Sequence, residues 1–262
     1  MKFEKKYTEY WKNNIKNPID GLAIAGSNEV NHFLPLLAIK KDDYLLDLGC
    51  SFGRMYSILA SVSNHIYGID PDSFAVESAL NEGYIDVKVG DAENIKYDDH
   101  FFDKIFCWAV YDVVDHYNGL LESNRVLKIN GKILLTGKID SYYHADTKAF
   151  IAEKNAFLKS FPNHFVDIEL LLKNIDKLGF ELEKLYIFPN RGDFGKLEYF
   201  EVEIPFETIN GYEYLMVLKK IKDIPIENYI KLDSPHSKTA KNLATKEGFD
   251  SVKDYFTQLG ID

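Results

Sequence analysis

Apolar positions along the chain switch between two periods. "YLLDLG" (44–49), "HIYGID" (65–70), "DVKVGD" (86–91), "DKIFCWAV" (103–110) and "ILLTGK" (133–138) are short apolar runs. Between them, "RMYSILAS", "SFAVESALNEG" and "NGLLESNRVLK" space their apolar residues as on one side of a helix. Strands buried on both faces and separated by amphipathic helices belong to an open parallel sheet covered on both sides. Gly83 is placed to stop one of these helices. "NGK" (130–132) predicts a turn before the fifth strand.

The flanks read differently. Residues 3–16 predict a helix rich in Tyr and Trp, then a Pro/Gly-containing loop, then a helix from Ser27 to about Leu37. After the alternating stretch, "AFIAEKNAFLKS" and "IELLLKNIDKLGF" are helical in pattern, and "ELEKLYIF" and "YEYLMVLKK" are strand-like. Residues 236–259 predict one or two short closing helices. This divides the chain into a helical cap (1–40), a core (41–220) with insertions near 139–165 and 190–211, and a helical extension (221–262).

The strand-to-loop passage "LLDLGCSFGRM" carries the first chemical signal. In such sheets ligands bind beyond the carboxyl ends of the strands. A dinucleotide loop needs G-x-G-x-x-G, but the corresponding residues here are Gly49, Ser51 and Arg54. Asp47 at the strand tip would also repel a diphosphate. It suits a cofactor with a sulfonium and an ammonium instead, which is the charge pattern of S-adenosylmethionine. Gly49 and Gly53 let the backbone pass close beneath such a ligand. Asp70, ending the second strand, is placed for ribose hydroxyls, and Asp91, ending the third, for an adenine amino group beside the Ala92 amide.

In order, "LDLGCSFGR", "GIDPD", "GDAENI", "FDKIFCWAV" and "RVLKINGKILL" resemble the motifs of class I S-adenosylmethionine-dependent methyltransferases, over residues 44–137. The resemblance implies a Rossmann-like, seven-stranded, mostly parallel α/β sheet with helices on both faces and the last strand antiparallel. Its cofactor residues fall on Asp47, Gly49, Cys50, Ser51, Phe52, Gly53, Asp70, Pro71, Asp91, Ala92, Trp108 and Ala109. Two positions depart from the family pattern: Ser51 stands for the middle loop glycine, and Ile129 for the usual proline before the late turn.

The same resemblance turns the loop "YDVVDHYNG" toward the transferred methyl. An alcohol nucleophile needs a proton acceptor there. An ungapped match puts Asp112 at the base position, a longer loop puts His116 there with Asp115 orienting its ring, and Tyr111 is a third candidate. Trp11, with Tyr7 and Tyr10, is expected to cover the cofactor. Tyr142, Tyr143, His144 and Arg191 are expected at the acceptor.

Composition narrows the rest. The 262 residues are 46% apolar and 27% charged, as in an ordinary globular protein, with no long apolar span and no apolar signal core at the start. Two cysteines argue against a disulfide framework and for the cytoplasm. A net charge of −10 is unfavourable for a nucleic-acid substrate, which wants a basic face. The histidines form no metal-ligand spacing, so no metal is expected. The resulting expectation is O-methylation of a small polar metabolite, such as a nucleotide-linked or surface-polysaccharide building block. A quinone-like aromatic or an amine is the alternative acceptor. An inactive cofactor-binding module and a nicotinamide oxidoreductase are the readings of another class.

Overall fold

The computed structural model describes residues 27–161, 163–203, 208–224 and 229–260. Five parallel strands come first: β1 (Tyr44–Leu48), β2 (His65–Asp70), β3 (Asp86–Val89), β4 (Phe102–Cys107) and β5 (Leu127–Ile139). Two more long strands follow, β7 (Phe180–Phe188) and β9 (Glu213–Lys220). The sheet order is β3-β2-β1-β4-β5-β9-β7-β8, and β9 runs antiparallel to both β5 and β7. The seven long strands thus form the expected Rossmann-like sheet. Three two-residue strands extend it: β6 (Phe165–Val166), β8 (Phe200–Glu201) and β10 (Asp233–Ser234).

Period-two alternation divides the strands between two cores. Leu46, Leu48, Ile105, Cys107, Ile133, Leu135, Met216 and Leu218 face one side, with Leu120 and Leu171 packed on them. Leu45, Phe106, Leu134, Leu215 and Val217 face the other, with Val30, Phe33, Leu59, Val76 and Ala79. The helices of the first side are α4 (His116–Val126) and α6 (Ile168–Asn174). Those of the second are α1 (Ser27–Phe33), α2 (Tyr56–Ala60) and α3 (Ser73–Glu82).

Three further helices form a satellite. α5 (Thr147–Leu158) lies beyond the end of β5, and α7 (Lys238–Lys246) and α8 (Val252–Leu259) pack behind it. Ala240, Ala244, Val252 and Phe256 make a small core there with Phe150 and Phe157 of α5. A buried acid fastens the arrangement. Glu153 of α5 accepts from Tyr142 Oη (2.8 Å), from the Ser237 amide (2.9 Å) and from Ser237 Oγ (2.7 Å).

Two local expectations shift. α4 begins at His116 and ends at Val126, so β5 starts at Leu127 and runs through Asn130-Gly131 without a break. Asn130 takes a positive φ of 67° within that strand. Asp115 is the helix N-cap, accepting from the Asn118 amide at 3.0 Å, and does not orient the His116 ring. The aromatic N-terminal segment with Trp11, Tyr7 and Tyr10 lies outside the described residues.

Candidate active site

A cavity of about 690 Å3 opens beyond the carboxyl ends of β1, β4 and β5. Its inner wall holds Gly49, Ser51, Trp108, Ala109 and Asp112, and its outer wall is the α5 face of Lys148, Ile151, Ala152 and Asn155. Ser51 (φ 51°) and Ala109 (φ 57°) both sit in the left-handed region, which is costly for residues with a side chain. The surrounding bonds hold them there. Ser51 N donates to Asp70 Oδ2 at 2.9 Å, and Ala109 N donates to Thr136 Oγ1 at 2.8 Å.

The loop after β1 turns because the Gly49 and Cys50 amides both donate to the Ile69 carbonyl, at 2.9 and 3.1 Å. Gly49 has φ 81°, and a Cβ there would collide with Val110 Cγ2. Asp70 is buried and accepts one backbone amide on each oxygen, from Ser51 and Asp72. Burial nevertheless pushes its carboxyl up to about 6. Asp47 lies deeper, beneath the loop, accepting from Tyr84 Oη at 2.6 Å. Burial pushes it up to about 7, partly offset by the Tyr84 hydrogen bond and by Arg54.

From Gly49 a narrow slot of about 20 Å3 leads between Ile69 and Pro71 on one side and Val110, Val113 and Val114 on the other, with Asp91 and Ala92 at its edge. Its apolar walls and polar rim suit a flat heteroaromatic base, for which the valine side must widen. Gly49, Ser51, Pro71, Asp91, Ala92, Trp108 and Ala109 therefore line the cavity or the slot. The other loop positions face elsewhere. Cys50 packs under Gly68, and burial drives its thiol well above the ordinary range. Phe52 meets Phe74 edge-on at 5.9 Å, and Gly53 lies against Ala79 of α3.

The three base candidates part company. Tyr111 is wholly buried, 3.3 Å from Ser123 Oγ, outside the cavity lining. His116 is wholly buried as well. Its amide and Nδ1 both contact Asp233 Oδ2 at 2.8 Å, and its Nε2 is 2.9 Å from Tyr214 Oη. Burial works against the Asp233 charge, but the hydrogen bonds from His116 and the nearby His164 ring prevail and hold that carboxyl well below the usual range. Of the three, only Asp112 lines the cavity. Its Oδ2 pairs with Lys138 Nζ at 3.1 Å.

Lys138 and Glu213 complete this floor, and sequence reasoning missed both. They are direct partners in the β5–β9 register. Lys138 also donates to Asn163 Oδ1 at 3.3 Å, and although burial opposes its charge, Asp112 holds its pKa above the ordinary lysine value. Among the described residues no group donates a hydrogen bond to the Glu213 carboxylate. Burial pushes it up to about 7, with Lys138 pulling the other way. A side recess of about 150 Å3 runs from this floor to Thr136, Gly137 and Phe194.

Arg191 reaches the cavity, its amide donating to Asp146 Oδ2 at 2.6 Å. Tyr142, Tyr143 and His144 do not line it. They edge a separate hollow of about 550 Å3 against α7, and the Tyr142 hydroxyl is spent on Glu153. Among the described residues there is no cluster of three metal-ligating side chains, and no helix is long and apolar enough to cross a membrane.

A doubly wound sheet with a glycine turn at the tip of β1, an acid at the tip of β2 and a cavity above β4 is a frame suited to a nucleoside-containing cofactor. The comparisons place it more closely. Residues 46–135 match the family model described as a methyltransferase domain. An uncharacterized protein of Methanocaldococcus jannaschii is 33% identical over 101 residues, which is 37% of this chain and 38% of that protein's length. A second one from the same organism is 24% identical over 214 residues, covering 82% and 80%. The structure of geranyl diphosphate C-methyltransferase from Streptomyces coelicolor A3(2), in complex with Mg2+, geranyl diphosphate and S-adenosyl-L-homocysteine, is similar with a TM-score of 0.61. It shares 12% identity and covers 84% of this chain and 99% of that one. A Thermotoga maritima SAM-dependent methyltransferase gives 0.55 at 21% identity, covering 83% and 98%. These findings support a class I S-adenosylmethionine-dependent methyltransferase, with the methyltransferase domain over residues 46–135 and S-adenosylmethionine as cofactor.

Proposed function

We propose that the chain O-methylates a small polar metabolite of the kind exemplified by nucleotide-linked or polysaccharide building blocks, and that Glu213 receives the acceptor's proton. S-adenosylmethionine supplies a methyl group on positively charged sulfur. The observation that carries the reading is the charged floor of Asp112, Lys138 and Glu213 beside Trp108 and Ala109. Asp112 is already neutralised by Lys138, whereas Glu213 accepts no hydrogen bond among the described residues and has a pKa about 7, suited to accept a hydroxyl proton near neutrality.

On the cofactor side, Asp70 serves the ribose hydroxyls with the lone pairs left after Ser51 and Asp72. Asp91 and Ala92 serve the adenine edge in the slot. Asp47 stabilises the cationic end through the loop rather than by contact, since the loop covers it. His116 and Tyr111 act as supports under the floor, tying α4 to β9 and β10. A screen of candidate acceptors with labelled methyl donor tests the reading, with NMR of the product locating the methyl carbon. Attachment to oxygen supports it, and attachment to nitrogen or carbon refutes it.

A further inference from the structure

The cavity's charge opposes that of the whole chain. In a protein of net charge −10, Arg54, Lys138, Lys148, Lys159 and Arg191 line one cavity against only Asp112 and Glu213. Lys138 is paired with Asp112. Among the described residues, Arg54, Lys148, Lys159 and Arg191 have no carboxylate at ion-pair distance. Unpaired cations gathered around one hollow repel one another, and a bound anion relieves that repulsion.

Their places on α5 separate them. Lys159 lies eleven residues beyond Lys148, about 16 Å along a helix at 1.5 Å per residue. One compact group therefore does not bridge both. Arg191 belongs with Lys148: its amide is fastened to Asp146, the N-cap of α5, at 2.6 Å. Its positive charge acts on Tyr212, the neighbour of Glu213, favouring the ionised phenol. A fork-shaped donor and a flexible ammonium thus flank the cavity beside the floor, the combination that suits tetrahedral oxyanions.

We propose that Arg191 and Lys148 form the subsite for a phosphate or diphosphate group on the acceptor. Two adjacent cations match the charge of a phosphoryl group, whereas a single carboxylate leaves one of them uncompensated. The proposal rests on this cavity being the acceptor site, but not on which atom is methylated.

The test is calorimetric titration of inorganic pyrophosphate, phosphate and acetate into the full chain saturated with S-adenosylhomocysteine. Pyrophosphate is expected to bind more tightly than phosphate, and acetate weakest. The Arg191→Ala, Lys148→Ala double variant is expected to bind pyrophosphate about tenfold or more weakly, as when charge-assisted hydrogen bonds are lost. Lys159→Ala should cost less, and Lys253→Ala on α8, outside the cavity lining, should cost nothing. S-adenosylhomocysteine affinity should stay unchanged throughout, which certifies the fold. Absence of pyrophosphate binding, equal binding by the double variant, equal affinity for acetate, or an equal loss in Lys253→Ala overturns the subsite. None of these outcomes bears on O-methylation, which the product analysis decides separately.

Discussion

On the proposed reading the cleft has a cofactor half and an acceptor half, and the two are built in opposite ways. The cofactor half gathers carboxylates at the tips of successive strands: Asp47, Asp70 and Asp91, each within or just after β1, β2 or β3. The acceptor half gathers cations from segments scattered between residues 138 and 191 and keeps two acids among them. One half is made by short-range chain geometry, the other by long-range packing. Their electrostatics differ accordingly. Asp47 and Asp70 are buried and their pKa values raised, while most of the acceptor cations stand at the solvent edge.

Substitutions should separate the halves. The largest effect is expected from Glu213→Gln, which removes the proposed proton acceptor while keeping shape. Turnover should fall by about 10²–10⁴, with S-adenosylhomocysteine affinity unchanged in a calorimetric titration. The acid limb of the pH–rate profile, set by a group near pH 7 in the parent, should disappear. A matching loss of cofactor affinity would erase the division between the halves.

Next comes Asp70→Ala, which leaves the Ser51 and Asp72 amides without their acceptor and removes the proposed ribose partner. Cofactor binding should weaken by about 1–3 kcal/mol, measurable as a higher Kd. His116→Ala is expected to act on stability instead, lowering unfolding free energy by about 1–3 kcal/mol as Asp233 and Tyr214 lose a buried partner. Denaturant unfolding reads that cost. A large fall in turnover well below the melting temperature would restore His116 to the chemistry.

The smallest effect is a slope. With its carboxyl raised to about 7, Asp47 favours the protonated form when no cation is near. Affinity for S-adenosylmethionine should therefore increase as pH rises toward 7, by up to about tenfold per unit, and level off above it. Asp47→Asn should flatten that dependence. The ligand-free protein should show the reverse trend. An acid with a raised folded pKa binds more protons folded than unfolded, so stability falls as pH rises from about 4 through 7.

How much of this was readable beforehand follows the same division. The order of β1 to β5, the acids at their tips and the glycine turn were legible because each depends on a few neighbouring residues and a fixed period. Lys138 and Glu213 were not singled out, although a signal existed. Each is a charged residue at the end of an apolar strand, "ILLTGKI" and "EYLMVL". An antiparallel strand presents its beginning, not its end, at the mouth of the cleft, and that inversion hides Glu213 from a scan of carboxyl-terminal tips. His116 misled for the converse reason. Its position in the loop was near enough, but Asp233, 117 residues away, draws the ring inward. No local pattern encodes that pull. Tyr142 is likewise claimed by Glu153.

The pairing of β5 with β9 has an architectural consequence. Lys138 and Glu213 are held opposite each other by backbone register, and the chain between them makes a long excursion through α5, α6, β7 and β8 before returning. Residues added to or removed from the loops of that excursion change the outer wall without displacing the two ends of the ladder. New acceptors are thus accessible by remodelling one peripheral stretch while Lys138 and the proposed proton acceptor Glu213 stay where the sheet puts them.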